Sequence, residues 1–237
     1  VQNLGNPESR LVWQWKGHWY SLPISAQDVL TLARAVDVEG YPQEGVAWAL
    51  IQRAAWIRSQ GKTVRLGKLV EQYAQPINPA WFLNGPKHLA EVARLENLGD
   101  MAGVAAERAK AERRPEKANK AWGQLAPETR NVVTDIMLGK SRSPVIGAVH
   151  YWASRGNDFT SNQLRKPELV LLDRGYGFGP GRNVFFAEKG ASNFGGVLIQ
   201  HGGGAIPNGG GMLQAGMGPG TIVAGLLISY LAWKWLS

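Results

Sequence analysis

From Gly190 to Trp233 the chain carries no Asp, Glu, Lys or Arg, and that run constrains it more than any other feature. It divides into two parts. Gly202-Gly203-Gly204 and Gly209-Gly210-Gly211 read as a flexible linker, because glycine leaves the backbone largely unrestrained. Behind them Thr221 to Trp233 is almost wholly apolar. A helix from Gly218 to Leu236 would reach ~28 Å at ~1.5 Å per residue, close to the apolar thickness of a bilayer. Tyr230, Trp233 and Trp235 cluster beside Lys234 at one end, as interfacial aromatics with a snorkelling lysine would. The pattern predicts a linker over residues 190–217 and a transmembrane anchor over 218–237. The alternative is a C-terminal helix packed on the body, but a core helix seldom needs a long glycine tether. Lys234 mildly favours an inside C-terminus, with the body outside.

The rest of the chain has a different character. A length of 237 residues suits one domain with an appendage, and a mean hydropathy of -0.20 fits a soluble body. Cysteine is absent, which excludes a disulfide framework, a thiolate metal site and a cysteine nucleophile. His18, His88, His150 and His201 are scattered without ligand spacing, so neither a metal nor another cofactor is expected. The net charge of +8 draws the body to polyanions: nucleic acid, anionic lipid or the bacterial wall. Ten tryptophans offer faces for sugar rings, although core positions claim them equally. Val1-Gln2-Asn3-Leu4 shows no secretory signal pattern.

Residues 1–24 read as an aromatic-rich arm, with Val12 to Tyr20 a short strand or flap. Helical signals follow. Ser25 and Asp28 form a capping box, and Val29, Leu32, Ala33 and Val36 recur on one helical face. Pro42 opens a second helix, apolar on most sides and closed by Gly61, which predicts the most buried element. Further helices are expected over Leu66 to Tyr73, His88 to Lys110 and Pro127 to Leu138. No alternating run promises a sizeable sheet, so the expected fold is mainly α. The mixed charges from Glu107 to Lys120 read as a solvated face, with Arg113-Arg114 able to meet a wall anion or a buried carboxylate. The glycines from Gly175 to Gly181 lack the Lys-Ser/Thr ending of a phosphate loop and suit a surface loop.

One more turn along the Val29 stripe stands Glu39, a carboxylate ending an apolar row. Desolvation disfavours its ionised form, and a carboxyl kept protonated near neutral pH can protonate a glycosidic oxygen as it leaves. Asp37 points elsewhere on the helix and is expected to meet water. Glu44 is the only other nearby acid.

Leu32 to Gly40 followed by Glu44 to Arg53 resembles the opening of bacterial and phage cell-wall hydrolases of the spore-cortex-lytic type, a family similar to lysozyme-like lytic transglycosylases. That family has a glutamate ending one helix, a short Gly/Pro turn, and a second helix closing on Asn-Arg. Here the turn is shorter and Gln52 replaces the asparagine. Tyr73-Ala74-Gln75-Pro76-Ile77-Asn78-Pro79-Ala80-Trp81 looks like a second segment of phage-encoded members, followed by Arg113-Arg114 and Trp122. Gly147-Ala148-Val149-His150-Tyr151 and Gly181 to Phe186 resemble their closing elements. The resemblance implies a lysozyme-like catalytic domain over residues 25–189. It implies Glu39 as general acid, with Gln75, Asn78, Trp81, His150 and Tyr151 against the glycan.

The expected function is therefore peptidoglycan cleavage by a lytic transglycosylase or muramidase, in a phage virion protein that opens the wall during genome entry. A bacterial envelope enzyme is the other setting. The expected partners are peptidoglycan strands, a lipid bilayer and other virion proteins, with no specific nucleic acid. The rival expectation is an inactive, membrane-anchored structural virion protein that keeps the lysozyme-like shape.

Overall fold

The computed structural model describes residues 9–39, 41–153, 168–172, 183–191 and 196–202. The expected anchor over 218–237 and the Gly175 to Gly181 loop lie outside the described residues. Among the described residues no helix is long and apolar enough to cross a membrane.

The fold is mainly helical, with six α-helices and two three-stranded sheets among the described residues. Strands β1 (Arg10–Trp15) and β2 (His18–Pro23) form an antiparallel hairpin. Its two-residue turn has positive φ at both Lys16 and Gly17, the backbone that matches the natural twist of paired strands. Within the expected arm over 1–24, residues from 9 onward supply the strand expected near Val12 to Tyr20 and pack on the body. Leu11 and Trp13 are wholly buried in the main core, and the Trp13 indole donates to Ser59 Oγ at 2.8 Å.

Helix α1 (Ala26–Val38) starts on the expected box: Ser25 Oγ accepts from the Asp28 amide, and the Asp28 carboxylate accepts from the Ser25 amide. Val29, Leu32, Ala33 and Val36 are all fully buried. They meet α2 (Gln43–Ser59), which is enclosed through Val46, Ala47, Ala49, Leu50, Ile51, Ala54 and Ala55. Burying one large aliphatic side chain contributes roughly 1.5–3 kcal/mol, so this helix pair organises the core. Helix α3 (Leu66–Tyr73) docks on α1, where the Gly67 amide donates to Asp28 Oδ1 at 2.8 Å.

Two short 3-10 turns, Gln75–Ile77 and Pro79–Trp81, lead to α4 (Pro86–Asn97) and α5 (Met101–Asn119). The single helix expected from His88 to Lys110 is instead this pair. Gly99 takes a positive φ, and Asp100 caps the new helix by accepting from the Gly103 amide. Helix α6 (Pro127–Met137) ends near Gly139 as expected.

The remaining strands are β3 (His150–Ala153), β4 (Leu169–Leu171), β5 (Asn183–Glu188) and β6 (Leu198–Gln200). Strand β5 lies between β3 and β4, antiparallel to both. Strand β6 pairs with β1. Part of the expected linker over 190–217 therefore belongs to the body. His201, just beyond β6, bonds Ser9 Oγ at 2.9 Å and the Met137 carbonyl at 2.6 Å.

Candidate active site

Glu39 caps the C-terminus of α1, its amide donating to the Ala35 carbonyl at 3.0 Å. Pro42 prevents the helix from running on. Asn183 at the start of β5 clamps this corner from outside: its side-chain amide donates to the Glu39 carbonyl and its backbone amide to the Tyr41 carbonyl, both at 2.8 Å. The carboxyl itself is partly buried, and desolvation raises it to about 7. The Tyr151 hydroxyl and the Gln75 backbone amide pull the other way. Burial, then the charge of Glu39, holds the Tyr151 phenol well above its ordinary range.

Beside this acid lies a second set of groups that sequence reasoning did not assemble. The Tyr73 hydroxyl on α3 is 2.8 Å from His150 Nδ1 on β3. His150 Nε2 is 2.9 Å from Glu188 Oε1 on β5, and the Trp56 indole of α2 donates to Glu188 Oε2 at 2.9 Å. Arg53, also on α2, donates to the Val149 carbonyl and lies within 3.0 Å of the His150 ring nitrogens. Its guanidinium sits 4.3 Å from the centre of the Tyr73 ring and 3.9 Å from Glu188 Oε1. Burial pushes the Tyr73 phenol up to about 12, so it stays a neutral hydroxyl. Partial burial pushes the Glu188 carboxyl up as well. Hydrogen bonds from Trp56 and His150 and the positive charge of Arg53 oppose that, so Glu188 lies below its ordinary value and is ionised at neutral pH.

Gln52 does not face this cluster. It is wholly buried, and its amide donates to Ser143 Oγ and to the Val145 and Ala148 carbonyls while accepting from the Gly147 amide at 2.8 Å. It thus holds the loop that delivers His150 and Tyr151.

The other expected contacts divide. Gln75 brings its backbone to Glu39, and its side chain is exposed. The Asn78 amide is occupied by the chain itself, donating to the Gln72 carbonyl and accepting from the Ala80 amide, so it shapes the turn instead of presenting a free group. Trp81 is partly buried, with the Arg114 guanidinium 5.2 Å from its ring centre and bonded to its carbonyl. Arg114 pairs with the buried Glu107, one of the two roles open to it from sequence.

Asp37 is corrected. Its side chain is only 3% exposed, paired with Lys120 at 2.7 Å and accepting from the Ala126 amide and Thr129 at the start of α6. The expectation of water fails because α6 arrives from far along the chain to cover it. Glu44 accepts from the Ser141 hydroxyl and lines a separate cavity of about 560 Å³ with Glu128 and Asp135, apart from the Glu39 cluster.

Glu188 is the residue missed. It is the last acidic residue before the uncharged run, and strand periodicity links it to His150: His150 stands opposite Phe186, so Glu188 two residues on shares its face. Comparison with protein-family models, curated proteins and solved structures returns no match.

Proposed function

We propose that this chain cleaves the glycan strands of peptidoglycan, with Glu39 as general acid. The observation that carries the reading is a partly buried carboxyl at the end of an apolar helix face, held protonated up to about pH 7. Proton donation to a departing glycosidic oxygen is most effective when the acid's pKa lies near the working pH. Glu39 also has a partner in Tyr151, whose hydroxyl can donate to the carboxylate once its proton has left.

The rest of the reading follows the sequence resemblance. The body, with the β1–β2 hairpin and β6 joined to it, is a lysozyme-like catalytic domain, the segment over 218–237 is a membrane anchor, and the setting is a phage virion that breaches the wall. Gln75 and Tyr151 stand beside the acid, and in this reading they, with Trp81 and His150, support a bound sugar chain. A lytic transglycosylase needs only one carboxylate, because the muramyl 6-hydroxyl replaces water as the attacking group. A muramidase would use a second carboxylate as base or nucleophile.

The test is digestion of purified peptidoglycan by the full chain, with separation of the released muropeptides. Anhydro ends identify the transglycosylase and reducing ends the hydrolase. Release of neither, by protein of intact circular dichroism, overturns the proposal.

A further inference from the structure

The second carboxylate near Glu39 has no role in the reading so far, and its bonding pattern supplies one. Arg53 has only N–H donors to offer His150. The Arg53 guanidinium lies 2.9 Å from Nδ1 and 3.0 Å from Nε2 and so does not distinguish them, whereas the Tyr73 hydroxyl, which can donate, is 2.8 Å from Nδ1. Nε2 faces Glu188 Oε1, an acceptor, at 2.9 Å. Only one neutral tautomer satisfies both sides: bare Nδ1 and protonated Nε2. The Tyr73 hydroxyl then donates to Nδ1 and keeps its lone pairs toward the Tyr151 backbone amide, with which it interacts. The two tyrosine rings meet edge to face at 5.6 Å, so fixing Tyr73 also fixes Tyr151 beside Glu39.

We propose that Glu188 is a positioning residue: it holds His150 as the neutral Nε2–H tautomer, and through His150 and Tyr73 it sets the place of Tyr151 against Glu39. Five of the described elements contribute to this arrangement. They are α1 with Glu39, α2 with Arg53 and Trp56, α3 with Tyr73, β3 with Tyr151, and β5 with Glu188. The inference rests on the glycosidase reading for its effect on turnover, but not for the tautomer itself.

Glu188→Gln tests it. The substitution keeps the size of the side chain but leaves one acceptor oxygen for two donors, the Trp56 and His150 N–H groups. The full chain is labelled with 15N-histidine, and His150 is assigned from the spectrum of a His150→Gln variant. In the wild type at pH 7.5, Nδ1 is expected to resonate as an unprotonated nitrogen and Nε2 as a protonated one. In E188Q that preference should be lost. The glycan kcat should fall about tenfold to a hundredfold with KM little changed, as for a misplaced catalytic group. Glu188→Asp, which keeps two acceptors, should recover most of both. A wild-type His150 that is doubly protonated or carries its proton on Nδ1 overturns the proposal without any variant. An unchanged tautomer and kcat in a folded E188Q also overturn it, while wild-type cleavage leaves the glycosidase reading standing. The expected tautomer change without glycan cleavage by the wild type supports the positioning chain and removes the glycosidase reading.

Discussion

Replacing Glu39 with glutamine should make the protein more stable above neutral pH, because the native state holds that carboxyl at an energetic disadvantage. The carboxyl lies at about 7 in the folded chain against an ordinary 4.5. The folded state therefore binds this proton more tightly than the unfolded state does. The resulting stability is fully present below about pH 4.5 and is lost as pH rises through about 7. A difference of roughly 2.5 pH units, at about 1.4 kcal/mol for each, gives a loss of about 3 kcal/mol by pH 8.5. Glutamine carries no ionisable proton and escapes that loss. Urea unfolding of both proteins, followed by tryptophan fluorescence between pH 4.5 and 8.5, measures the difference directly. E39Q should be close to wild type at the acid end and gain about 3 kcal/mol on it at the alkaline end. A stability difference that stays flat across this range, or that favours wild type as pH rises, would refute the desolvation argument.

Three other substitutions probe the surrounding frame. Gln52→Ala would strip the Gly147 amide and two carbonyls of their buried partner, costing roughly 2–4 kcal/mol in urea unfolding, and a loss below about 0.5 kcal/mol would contradict its role. Gly45→Ala would place a Cβ 2.5 Å from the wholly buried Phe185 ring, so thermal unfolding should show a loss of about 1–3 kcal/mol. Tyr151→Phe removes a hydroxyl that pulls the Glu39 carboxyl down, so its midpoint in a 13C NMR titration should move up; a downward move would contradict the assignment.

What the sequence disclosed, and what it hid, follows from the range of the interactions. Local patterns were readable: the Ser25–Asp28 box, the buried stripe from Val29 to Val36, the enclosed α2 and the stop at Gly139 all reappear in the fold. The break between α4 and α5 was also written locally, in Gly99-Asp100, but the alanine-rich charge pattern on either side concealed it. Beyond the strand expected near Val12 to Tyr20 the sheets were not readable, because β4 and β6 are three residues long and β6 pairs with a strand far along the chain. Asp37 shows the same limit: helical phase gave its direction but not the arrival of Lys120 and α6 above it. Within the site, Glu39 could be found from the end of its own stripe. Glu188 required the β3–β5 register, which no local pattern carries.

The role of Glu39 as proton donor is tested most directly by the pH dependence of glycan-strand cleavage by the full chain, run beside E39Q. The wild-type rate should fall above about pH 7 as the carboxyl loses its proton, and E39Q should be slower by about a hundredfold to ten-thousandfold at every pH. A folded E39Q that cuts glycan strands at a rate within tenfold of wild type would contradict it.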